Sequence, residues 1–177
     1  TRKESSAASD VYKRQVDQWY QRELNTSAAG IKHYQLSTYY AGKWRPEFDR
    51  WVEMQAGMYK GEGKEQVAWN SALTAEMIFT QPVLYEFGQL KMPVLLMIGE
   101  LDNTAIAKDI APAELKPKLG NYAKLGPAAV KAIPNASLVT FADLGHSPHI
   151  QDPDRFHQQL IKPVSYTHLT LPTTPYV

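Results

Sequence analysis

The run Val94-Leu95-Leu96-Met97-Ile98 constrains this chain most. It is apolar without alternation, and it lies between Met92-Pro93 and Gly99-Glu100-Leu101-Asp102. An uninterrupted apolar run of strand length predicts a parallel β-strand covered on both faces. After it comes a loop and helical stretch from about Ala105 to Ile133, interrupted by Pro112, Pro117, Gly120 and Gly126. Pro134-Asn135 marks a turn, and Ser137-Leu138-Val139-Thr140-Phe141 reads as a second strand. Beyond Ala142–His146, Asp152 caps a last helix with Pro153 at its first position, and Phe156 and Leu160 face inward at i and i+4. The order strand, helix, strand, helix implies parallel strands joined by a right-handed crossover, an α/β arrangement.

That arrangement has a chemical consequence. Parallel neighbours carry their carboxyl ends on one edge of the sheet, where ligand sites of open α/β sheets lie. Asp102 and His146 each stand just past such an end. A carboxylate that accepts a hydrogen bond from imidazole fixes its tautomer and stabilises the imidazolium, which leaves the other ring nitrogen as a general base. The two residues form the acid and base of a nucleophile-acid-base triad, in the order Asp before His.

Other candidates carry less. His149 follows His146 at the spacing of a metal-binding pair, but Ser147-Pro148 spoils helical register between them and no third ligand is placed, so no metal is expected. Asp143 precedes His146 on the same loop and reads as a turn former, and Glu100 is the weaker alternative acid. His33 reads as structural and His157 as solvated. Ser71 lies in a helix interior, without the sharp turn a nucleophile needs.

Upstream, from Val16 to about Phe87, the pattern is helical and rich in aromatics. One helix spans Val16–Leu24, and Ser27 caps a second that runs to about Tyr40. Ala41-Gly42-Lys43-Trp44 is a turn, and Pro46 opens a third helix whose apolar face is Phe48, Trp51, Val52, Met58 and Tyr59. Gly61-Glu62-Gly63 ends it. A fourth helix runs from about Lys64 to Thr80, with Val67, Trp69, Ala72, Leu73, Met77, Ile78 and Phe79 on most of its sides, which predicts burial on more than one side.

Composition narrows the function classes. The 177 residues suffice for one domain with a core, and 44% hydrophobic with 21% charged residues is an ordinary globular composition. A net charge of +1 argues against an electrostatic nucleic-acid or membrane-surface binder. The absence of cysteine excludes disulfides, thiolate metal sites and a cysteine nucleophile. No apolar run reaches the length of a membrane span.

Both ends read as adapter scars. Asp10–Gln15 is the in-frame translation of GATGTGTATAAGAGACAG, the transposase mosaic end used in sequencing libraries. The reverse complement of that DNA, extended as in the adapter, translates to Val164–Thr173. The expectation is therefore adapter-derived, disordered segments at 1–15 and 164–177, a helical segment over 16–90 and the sheet-bearing part over 91–163.

The segments Pro93–Asp102 and Leu144-Gly-His146-Ser-Pro-His-Ile-Gln-Asp-Pro-Asp-Arg-Phe156 resemble the C-terminal part of an α/β-hydrolase, where the acid follows the seventh strand and the histidine the eighth. The helical half resembles the cap of a bacterial group of serine hydrolases, on Trp69-Asn-Ser-Ala-Leu-Thr and Met77-Ile-Phe-Thr-Gln-Pro-Val83; so does the acid loop Asp102–Asp109. The resemblance implies a fragment, a cap and a parallel β-α-β-α remnant of the hydrolase sheet. It implies a parent that hydrolyses ester-like or amide-like bonds with Asp102 and His146 in its triad and no cofactor. Trp51, Met54, Trp69, Met77 and Phe79 are the cap residues expected to line a pocket for a small apolar or aromatic substrate. Members of the group tend to be exported, so a periplasmic or secreted location is implied, with the cytoplasm as alternative. The sequence departs from the family in having no G-x-S-x-G, so the chain alone is expected to be inactive. An aspartate nucleophile, as in haloalkane dehalogenases and epoxide hydrolases, and a non-catalytic binding protein remain as alternatives. A strand edge left bare at Val94–Ile98 predicts self-association.

Overall fold

A computed structural model describes residues 15–167, with side chains through Lys162. The adapter readings over 1–14 and 168–177 lie outside the described residues.

The helical half comes first. Helix α1 spans 15–24. Ser27 is the N-cap of α2 (Ala28–Tyr34), its hydroxyl accepting from the Gly30 amide at 3.1 Å. The sequence pattern continues this helix to Tyr40, but from Gln35 to Tyr39 the backbone widens into a π-turn. Ala41 and Gly42 then take positive φ (52° and 76°) and reverse the chain. Pro46 opens a short 3₁₀ turn (Pro46–Phe48) that leads into α3 (Asp49–Met58). Gly61, at φ 88°, separates α3 from α4 (Lys64–Thr80).

Two small apolar clusters hold these helices. Ile31, Val52 and Ala56 join α2 to α3, with Trp44 against them, and Lys32 and Trp44 both donate to Asp49 Oδ1. Val16, Trp19 and Ala72 join α1 to α4. Tyr40 is wholly buried and stacks on Phe48 with ring centroids 3.9 Å apart.

Helix α4 corrects the expectation of burial on several sides. Its buried residues are Ala68, Ala72 and Glu76, a single stripe at i, i+4 and i+8. Trp69, Leu73, Met77, Ile78 and Phe79 are all exposed. Ala72 lets Val16 and Trp19 of α1 approach along one line, while the large side chains are left partly exposed.

A 3₁₀ segment (Val83–Gln89) connects to β1 (Val94–Gly99), which pairs in parallel with β2 (Ala136–Phe141), Val94 opposite Ala136 and Gly99 opposite Phe141. The crossover passes through α5 (Tyr122–Ala132). Gly126 does not interrupt this helix. It is the contact point with the sheet, where a Cβ would meet Ile98 at 3.0 Å and Leu138 at 3.4 Å. Residues Val94–Ile98 are half-buried rather than covered on both faces, since α5 packs on the strands and each strand has one partner among the described residues. The α/β class expected from the sequence is the one found.

A one-turn helix, α6 (Pro148–Gln151), and a longer one, α7 (Pro153–Thr167), close the fold. Asp152 Oδ1 accepts from the Arg155 amide at 3.2 Å, and Phe156 stacks on Phe141 at 6.1 Å. Leu160, expected inward, is exposed. Helix α7 continues four residues into the segment expected to be disordered from Val164, as a started helix extends at little cost. No helix among the described residues is long and apolar enough to cross a membrane.

Candidate active site

The site grows from the carboxyl ends of β1 and β2. Beyond the last pair, the Glu100 amide donates to Phe141 O (3.0 Å) and the Leu101 amide to Leu144 O (3.0 Å), so the two loops leave the sheet in contact. Gly99 makes this approach feasible. A Cβ there would stand 2.0 Å from Gly145 O and 2.6 Å from Leu144 O.

The acid and the histidine meet on these loops. Asp102, 6% exposed, places Oδ2 2.7 Å from Nδ1 of His146, whose side chain is 41% exposed. Asp102 Oδ1 accepts from the Thr104 amide at 2.8 Å. That is an Asx turn, formed by a side-chain oxygen and the amide two residues on, and it fixes the carboxyl plane. Thr104 Oγ1 lies 3.1 Å from the same Nδ1 and donates to the Tyr122 hydroxyl at 3.3 Å. With two oxygens facing Nδ1, the ring proton belongs on Nδ1 and Nε2 is the free acceptor. Such a ring can take a proton at Nε2 while the buried carboxylate stabilises the charge that results.

Aromatic rings flank the pair. Tyr39 lies against the imidazole with centroids 4.7 Å apart and planes tilted by 35°, and Tyr34 meets Tyr39 edge-on at 5.6 Å. Burial pushes both phenols above their usual range, and the Asp102 charge adds to it. Both therefore stay neutral near neutral pH.

The competing residues lie elsewhere. Asp143 pairs with Arg155 at 2.7 Å, and that hydrogen bond holds its carboxyl below the usual range. His149 sits in α6 with its ring 5.7 Å from Phe156; burial pushes it below the ordinary histidine range, and His146 and His157 add to the effect. Among the described residues no group of three or more His, Cys, Asp or Glu is gathered as for a metal. Ser71 lies on α4 with Oγ 3.4 Å from the Tyr59 hydroxyl. His33 is exposed rather than packed among the aromatics.

The five apolar residues expected around a substrate are dispersed. Trp51 is half-buried under the Arg50 guanidinium, and Met54 is exposed on α3. Trp69 packs edge-on against Tyr20, and Phe79 is exposed near the end of α4. Met77 lines a groove with Val83, Tyr85 and Tyr122. The cavity beside the acid loop, about 470 Å³, is lined instead by Trp19, Ile31, Tyr34, Ile106 and Ala107 among others. Sequence reasoning missed Thr104, Tyr122 and Tyr39. The Asp-Asn-Thr turn was a readable signal for Thr104, whereas the two tyrosines arrive through tertiary packing alone.

No protein-family model matches the chain, and no curated protein matches it. A crystal structure of a probable hydrolytic enzyme from Pseudomonas aeruginosa PAO1 is similar to it, with 68% identity and a TM-score of 0.82 over 84% of this chain. The match covers 47% of that protein, so the chain spans about half of its length.

Proposed function

We propose that this chain carries the acid and the base of a serine hydrolase of the α/β-hydrolase type, acting on ester-like or amide-like bonds. The observation that carries the reading is the 2.7 Å contact between buried Asp102 and half-exposed His146, just past the ends of two parallel strands. Similarity to a probable hydrolytic enzyme supports a hydrolytic reaction.

In this reading the serine belongs to the part of a longer protein that corresponds to the other half of that relative. Its Oγ attacks the substrate carbonyl carbon and its proton passes to His146 Nε2. Asp102 stabilises the imidazolium through Nδ1–H. The tetrahedral intermediate collapses, His146 gives its proton to the departing alcohol or amine, and an acyl-enzyme remains. Water then attacks the acyl-enzyme with His146 again as base, which releases the acid and restores the serine. The neutral rings of Tyr34 and Tyr39 beside the imidazole favour a substrate of apolar character.

The test is to extend the reading frame upstream of Val16 and treat the longer protein with a fluorophosphonate probe. Labelling of a serine within G-x-S-x-G, lost in His146→Gln, is the expected result. An aspartate at that position moves the chemistry to dehalogenation or epoxide opening, and a longer protein that takes no label overturns the serine reading.

A further inference from the structure

The π-turn Gln35–Tyr39 interrupts the second helix of the helical half, and it falls against the acid–base pair. A helix leaves its last carbonyls without intrahelical donors. Here Tyr40 N–H donates to Gln35 O (3.0 Å) and Gly42 N–H to Leu36 O (2.8 Å), which closes the π-turn. The next three carbonyls go to the two site loops. Ser37 O accepts from Asn103 Nδ2 (3.1 Å), beside Asp102. Thr38 O accepts from the His146 amide (3.4 Å) and Tyr39 O from the Ser147 amide (3.3 Å). Gly145 leaves room for this approach, since a Cβ there would stand 2.6 Å from Tyr39 O and 2.9 Å from Thr38 O. The same turn lays the Tyr39 ring against the imidazole at 4.7 Å.

We infer that the π-turn is a clamp that holds the acid loop and the base loop in one register, and that Tyr39 is a positioning residue for His146. The widened turn is what the geometry requires. The three carbonyls that end this turn face the two loops, and π-turns are frequent at functional sites. Rotation of the imidazole out of its contact with Asp102 would bring it into the Tyr39 ring on one side, while Thr104 Oγ1 approaches Nδ1 itself. The ring is thereby kept with Nδ1 on the carboxyl and Nε2 free. The inference rests on His146 serving as the base.

The test is ¹⁵N and ¹H NMR of His146 in the chain itself. In the unaltered protein, nuclear Overhauser contacts between the Tyr39 and His146 rings are expected, with imidazole carbon-bound protons shifted upfield by the neighbouring ring and ¹⁵N shifts of the Nδ1–H tautomer. Absence of those contacts overturns the clamp without any variant. Tyr39→Leu should move the imidazole protons downfield and raise the share of the Nε2–H tautomer, while Tyr39→Phe restores the original pattern because it keeps the ring. An unchanged His146 spectrum in Tyr39→Leu, or an equal change in Tyr39→Phe, overturns the positioning role. Failure of the hydrolase reading is distinguishable, since it shows as loss of fluorophosphonate labelling in the longer protein, with the His146 spectrum as expected here.

Discussion

The sheet edge and helix α4 are built on opposite terms. At the edge, polar groups meet at hydrogen-bond distance and backbones approach until Gly99 and Gly145 have no room for a Cβ. Along α4, only Ala68, Ala72 and Glu76 are buried, and large apolar side chains from Trp69 to Phe79 stand in the open. The edge satisfies its own groups and so fixes one geometry. The α4 face leaves its large apolar groups partly exposed, so its sequence does not by itself close a core there.

The largest expected effect follows from the glycines. Gly99→Ala would force a Cβ into the Gly145 and Leu144 carbonyls, and we expect a loss of more than about 3 kcal/mol in urea unfolding, or no soluble protein. Gly57→Ala, on α3 with nothing within 4 Å, should stabilise by about 0.5–1 kcal/mol. Equal effects at the two positions would erase the contrast.

Next comes Asp102→Ala, which leaves the Thr104 amide without its acceptor and His146 Nδ1 with Thr104 Oγ1 alone. A loss of about 1–3 kcal/mol in the same experiment is expected. Leu73→Gln with Met77→Gln on the bare face of α4 should change stability by no more than about 0.5 kcal/mol. The unaltered chain is expected to self-associate in sedimentation velocity, and that pair of substitutions should lower the association. A monodisperse parent chain, or a large stability loss in the pair, would show that the face is covered after all.

The smallest effect is one of pH. The His149 imidazole is held below the ordinary range, so between its native value and the ordinary value near 6.5 the unfolded chain binds more protons than the native one. Stability should therefore rise with pH through that window, and this group should add no slope above or below it. His149→Gln should flatten the slope, as read from unfolding midpoints at a series of pH values.

What the sequence made legible was local. The strand limits come within one residue of Val94–Ile98 and Ser137–Phe141, and the fourth helix has the bounds read from its flanking glycine and proline. Apolar runs, caps and breakers act over a few residues, so they can be read there. The order of the two strands also places Asp102 and His146 at one edge before any coordinate is known. The π-turn was not legible, because Gln35–Tyr39 has the composition of ordinary helix and only the two loops docked on it give the wider turn a purpose. The burial of α4 was misread for a related reason. Its pattern of large side chains says they can be buried, and whether a neighbour covers them is a property of the fold. The rings against the acid–base pair, Tyr39 with Tyr34 edge-on to it, came into place through tertiary packing that no local pattern shows.

The central claim is that Asp102 and His146 act as one unit in hydrolysis. A chimera tests it most directly, with Val16–Pro163 replacing the matching segment of the 68%-identical Pseudomonas enzyme and p-nitrophenyl ester hydrolysis as the readout. We expect an active chimera whose kcat falls about 10⁴-fold in Asp102→Asn, because the imidazole then takes the wrong tautomer. An active chimera in which Asp102→Asn keeps kcat within about tenfold would contradict it.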